Sequence, residues 1–184
     1  NVAVGHTALL TLDAGADAFN VAVGNSAGKL MTSGIQNTII GSLAGDALTT
    51  GSNNVAIGYN ALSTEDAHGR NVAIGYAALN TLNAGQDAYN VAIGFSAGTN
   101  VSTGVQNTII GGLAGDSLTT AIQNTAVGYA ALSTNIDGDN NTALGFKALE
   151  DFEADTDGHG NNTAVGASAM MNASTGTENT ALGN

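Results

Sequence analysis

One five-residue pattern constrains this chain more than anything else in it. Asn-[Val/Thr]-[Ala/Ile]-[Val/Ile/Leu]-Gly occurs eleven times, starting at Asn1, Asn20, Asn37, Asn54, Asn71, Asn90, Asn107, Asn124, Asn141, Asn162 and Asn179. The spacings run 19, 17, 17, 17, then 19, 17, 17, 17, then 21 and 17. Ala stands three residues after each closing Gly wherever the repeat extends that far, from Ala8 to Ala169. A fixed period of this length is the mark of stacked, quasi-one-dimensional architecture. A second order lies above it: residues 1–70 and 71–140 align without gaps at 41 identical positions, and a partial third block covers 141–184. The chain therefore reads as one repeat array, 1–184. Because it opens on a repeat boundary and stops inside a copy, it is expected to be a segment of a longer fibre.

The pentad reads as a short strand. Val, Ile and Thr suit a pleated, half-buried surface, and side chains alternate faces with period two. The fourth position is always a large aliphatic (Val4, Val23, Ile40, Ile57, Ile74, Ile93, Ile110, Val127, Leu144, Val165, Leu182), and the second is Val or Thr. The third is Ala except at Ile39 and Ile109. This pattern predicts a bulky face turned into the coil and a small, flat Ala/Gly face turned outward, free to pack against other copies. The closing Gly predicts a turn at positive φ or a close backbone approach. A second strand is expected around the fixed Ala, beside Leu or Gly (Leu9, Gly28, Gly45, Leu62, Leu79, Gly98, Gly115, Leu132, Leu149).

Seventeen residues are too few for a helical hairpin repeat and suit one coil of an all-β parallel roll or solenoid. About ten coils at ~4.8 Å each make a rod on the order of 50 Å. The first-position Asn would stack on itself from coil to coil as an amide ladder. Absence of Pro protects that ladder. The three basic and fifteen acidic residues all lie outside the pentads, where like charges are not stacked at one strand spacing.

Composition excludes several classes. A net charge of -12 argues against nucleic acid and anionic membrane surfaces as partners. No apolar run is long enough to span a bilayer, so no membrane insertion is expected. No Cys is present, which removes disulfides and thiolate metal sites. His6, His68 and His159 fall at unrelated repeat positions, and no nucleophile, base and orienting group are marked together. A depolymerase would draw on paired carboxylates, of which Glu150, Glu153 and Asp157 are the local cluster. No enzyme is expected, and no cofactor.

The repeat resembles the seventeen-residue Asn-Thr-Ala-[Val/Leu]-Gly-Tyr-x-Ala-Leu repeats of phage tail fibres and related bacterial surface fibres, which Asn124–Leu132 follows closely. It is also similar to the head repeats of trimeric autotransporter adhesins, through Asn-Val-Ala-Ile-Gly at Asn54–Gly58, Asn71–Gly75 and Asn90–Gly94. The adhesin heads repeat at fourteen residues, so their loop geometry does not carry over. The resemblance implies a trimeric parallel β-roll, intertwined or side by side. It implies a structural shaft or head segment, extracellular, on a virion tail fibre or a bacterial cell surface. Its partners would be itself, as a homotrimer, and a host receptor or other fibre proteins. The structural repeat residues on this reading include Asn20, Gly24, Asn37, Gly41, Asn54, Gly58, Asn71, Gly75, Asn90, Gly94, Asn107, Gly111, Asn124, Gly128, Asn141 and Gly145.

Three features carry candidate chemistry. Asp137 and Asp139, and Asp155 and Asp157, sit in Asn/Gly-rich loops and are candidate Ca²⁺ ligands; the plainer reading is a solvated turn. Tyr59, Tyr76, Phe95, Tyr129 and Phe146 follow the pentad Gly directly, a stripe suited either to surface contact with a glycan or receptor or to capping the turn and packing between protomers. Thr at the second position suggests an ice-binding plane, set aside because that face is shared with the large aliphatics expected inside. The longer units, 1–19, 71–89 and 141–161, are expected to project loops for receptor contact. The alternative function is a monomeric solenoid binding glycan, Ca²⁺ or ice on one flat face.

Overall fold

The computed structural model describes residues 1–15, 17–152, 160–173 and 175–183. Eleven strands of three residues each, β1 (Val2–Val4) through β11 (Thr180–Leu182), form one parallel sheet in sequence order. Each strand is the centre of one pentad. Register is like on like: Ala56 pairs Ala73, and Ile57 pairs Ile74. The chain is all-β, a solenoid of about ten turns.

Two expectations about the coil are corrected. The bulky face is not inside. The third-position residues Ala22, Ile39, Ala56, Ala73, Ala92, Ile109, Ala126, Ala143 and Ala164 are fully buried. Second and fourth positions face outward and are half-buried or exposed, with Ile40 at 38% and Leu144 at 44%. The reason is the first position. Asn shares its face with the third residue by strand alternation, and Asn20 through Asn162 are buried. The buried amide column takes the inside, and parity sends the large aliphatics out.

The second correction concerns the segment around the fixed Ala, which is a run of turns rather than a strand. The residues two and four after each pentad Gly hold positive φ, as at Asn60 (58°) and Leu62 (52°). L-residues pay for this conformation individually, so the neighbouring coil must hold it. It does so through a second backbone ladder: Leu62 N–H donates to Ala78 O at 3.0 Å, and Gly45 N–H to Ala61 O at 2.9 Å. The same bond recurs along the rod.

The core is filled from that turn side. A column seven residues after each Gly contributes Met31, Leu48, Leu82, Val101, Leu118 and Phe152, all buried. A second column alternates Leu62, Leu79, Leu132 and Leu149 with Gly28, Gly45, Gly98 and Gly115. Ile39 fills the space over Gly28 and Gly45, and Ile109 that over Gly98 and Gly115. Volume is thus conserved between coils rather than within each one. The pentad glycines are required for a different reason. Each lies at φ between 122° and 143°. For Gly5 to Gly166, a Cβ would collide with the carbonyl of the next pentad's Gly.

Candidate interaction surface

The amide ladder runs unbroken. Each pentad Asn donates its backbone N–H to the side-chain oxygen of the Asn one coil earlier, from Asn20 on Asn1 (2.9 Å) to Asn179 on Asn162 (3.1 Å). The side-chain amide also crosses the coil interior. Asn20 Nδ2 donates to Gly34 O (2.7 Å), Asn90 Nδ2 to Gly104 O (2.8 Å) and Asn107 Nδ2 to Ala121 O (2.9 Å). Asn therefore joins coils along the axis and closes each coil across it. The repeat Asn and Gly positions are thus the framework of the rod.

With the framework inside, the outward sheet face is a regular plane. Val or Thr and Ile, Val or Leu repeat on it once per coil, in register over eleven strands. Five successive coils carry Thr there: Thr108, Thr125, Thr142, Thr163 and Thr180. That face points outward, so its burial does not set aside a Thr plane.

Beside this plane the aromatics emerge at the corner made by the pentad Gly. Tyr59, Tyr76, Phe95, Tyr129 and Phe146 are each about half exposed. Tyr59 stacks on Tyr76 with centroids 5.5 Å apart, Tyr76 on Phe95 at 5.1 Å, and Tyr129 on Phe146 at 5.8 Å. The two stacks are separated by the coil of Gly112, which has no side chain to continue them. Lys147 Nζ lies 5.8 Å from the Phe146 ring.

The first acidic loop bonds to the coil before it. Asp137 Oδ1 accepts from the hydroxyls of Thr119 and Thr120, both at 2.9 Å, and Asp139 Oδ1 accepts from Ile122 N–H at 2.8 Å. Each bond ties one coil to the previous one. Asp155, Asp157, Glu153 and His159 lie outside the described residues. Against the second long unit, Arg70 of the preceding coil pairs with Asp87 and sits 5.5 Å from the Tyr89 ring, while Asp87 Oδ1 accepts from Gly69 N–H.

A titratable group in the core escaped the sequence reading. Glu65 is fully buried in the column that Leu, Met, Val and Phe fill in six other coils. Oε1 accepts from His68 N–H at 3.2 Å and Oε2 from Ala84 N–H at 3.4 Å. Burial raises its pKa above the ordinary value, against the lowering pull of those bonds and of His68. Glu65, Asp66 and His68 each place one ligand atom within 4.8 Å of the others. The seventy-residue duplication offers a clue to the role: the counterpart of Glu65 is Asn135, also buried, whose Oδ1 accepts from Gly138 N–H in the same three-residue turn. Both residues cap a turn from inside the core. The signal was available as the one charged residue in an apolar column, visible only once the column was known.

His6 lies in the first coil and His68 in the fourth. No described helix is long and apolar enough to cross a membrane. Comparison with known proteins finds no matching family model, no matching curated protein and no matching solved structure.

Proposed function

We propose that the chain is a structural segment of an extracellular fibre, of the phage tail-fibre or bacterial surface-adhesin kind, assembled as a homotrimer of parallel β-rolls. The observation that carries this reading is the outward sheet face. About three residues wide and ten coils long, it measures roughly 10 Å by 50 Å, ~500 Å² of Val, Thr, Ile and Leu, at the upper end of what a monomer leaves exposed. It is periodic, in register from strand to strand, and free of charge. Such a surface suits self-association about an axis parallel to the rod. The seam therefore belongs to the bulky face and not to the Ala face, which each coil consumes internally.

The function is mechanical on this reading. Three continuous ladders per chain resist bending, and the corner aromatics and long-unit loops remain for contact with a receptor or with neighbouring fibre proteins. A test is to place Lys on the seam with Ile57→Lys, Ile74→Lys and Ile110→Lys together. Small-angle scattering should show the trimer falling to single rods while circular dichroism keeps its β signature. A wild-type chain that already scatters as a single rod, unchanged by the lysines, would refute the proposal.

One observation favours a second reading. The outward-facing five-coil Thr row, half-buried from Thr108 to Thr163 and exposed at Thr180, is of the kind a monomeric solenoid could lay on ice. Ice-growth inhibition by the single rod, lost on Thr125→Tyr, is the outcome that reading requires.

A further inference from the structure

A cleft of about 260 Å³ crosses three coils beside the second aromatic stack. Tyr129 forms one wall. Asp116 and Ser117 come from the coil before it, Ser133 from its own coil, and Lys147 and Glu150 from the coil after. Lys147 Nζ and Glu150 Oε1 are paired at 2.8 Å. Among the described residues, Asp116 Oδ1 is shielded from solvent and has no hydrogen-bond partner. An acceptor left in that condition is costly until a donor reaches it. Burial also raises the Asp116 pKa.

The duplicated block shows what makes this cleft. Asp46, Tyr59, Ser63 and Thr64 are the counterparts of Asp116, Tyr129, Ser133 and Thr134. Where the cleft has Lys147 and Glu150, the first junction has Ala77 and Asn80. Asn80 Nδ2 donates to Ser63 Oγ at 2.7 Å and to Asn60 O at 3.2 Å, drawing the coils together. At the later junction, Glu150 turns instead to Lys147, and the Ser133 hydroxyl lines the cleft.

We propose that this cleft is a binding site for a single neutral hexopyranose unit of a surface glycan. One face of the Tyr129 ring is stacked on Phe146, and its exposed half offers apolar surface for the C–H face of a sugar ring. The two carboxylates accept from ring hydroxyls, and the Ser117 and Ser133 hydroxyls both donate and accept. Two acidic groups against one Lys leave the cleft net negative, which disfavours uronates and other acidic sugars. The volume lies just below the ~300–1,000 Å³ of drug-sized sites, the scale of one ring rather than a long oligosaccharide. The site belongs to one chain's flank and does not depend on trimer assembly.

The test is saturation-transfer and amide-shift NMR on the intact chain with methyl glucoside, galactoside and mannoside, and with methyl galacturonate. At ~20 mM sugar even a millimolar site is filled. Saturation transfer from at least one neutral pyranoside is expected, with shifts confined to 113–150. Tyr129→Ala should weaken it at least tenfold. Lys147→Ala with Glu150→Asn, a pair the first block already carries at the equivalent positions, should abolish it in a chain that melts normally. Tyr59→Ala should leave it unchanged. Absence of transfer from every neutral sugar, equal loss in Tyr59→Ala, or galacturonate binding as tightly would each overturn the assignment.

Discussion

At the scale of single residues, the rod depends on groups that are buried, polar and paired. Asn107 accepts from Asn124 N–H and donates to Ala121 O, both at 2.9 Å in a buried interior. Asn107→Ala orphans both, at ~1–3 kcal/mol each, so a loss of about 2–6 kcal/mol is expected in denaturant unfolding. Glu65 behaves in the opposite sense. Its folded pKa is raised by burial above the ordinary 4.5. Its contribution is therefore fully present below the unfolded pKa and is lost as pH rises through the folded value. Glu65→Gln keeps one acceptor oxygen, for His68 or Ala84 N–H, and turns an amide NH2 towards the other donor, without the charge. The lost acceptor gives an offset that does not depend on pH, and on top of it the stability difference should move in favour of Gln between pH 4 and pH 7. A difference independent of pH would show that Glu65 is not held against its ionised form.

At the scale of the coil, the pentad's strand character, its register, the turn at Gly and the amide ladder were legible from the repeat alone, because each follows from a period and a residue type. The face assignment was not. Val, Ile and Leu at the fourth position carry the largest apolar area, and hydrophobic pattern sends such residues inward. The column of Asn at the first position overrides them, since an amide ladder is stable only where water does not compete, and parity then fixes every other side chain. The Leu/Gly alternation after the fixed Ala was visible as a list, but its meaning needed neighbours: Ile39 is the filler for glycines in two coils. That gives an element-scale prediction. Ile39→Ala should cost about 2–5 kcal/mol by leaving a cavity. Gly45→Leu should cost ~1–3 kcal/mol by overpacking against Ile39 and Leu48, the backbone there already being one that Leu62 adopts. Together they should cost less than the sum, and a double-mutant cycle reads that coupling directly. Additive losses would mean that volume is not shared between coils.

At the scale of the whole molecule, the eleven-strand sheet has an apolar outer plane, and the account turns on what covers it. Charge gives no partner of its own: the -12 resides in loops and corners, away from the plane. The cleft and the aromatic stacks start from the corner after the pentad Gly, beside the plane rather than on it. Fibre segment and seam stand or fall together on the number of chains in the assembled particle. Multi-angle light scattering on the purified chain measures it. The account predicts a mass three times the 18.0 kDa of one chain. A single-chain mass across the concentration range would contradict it.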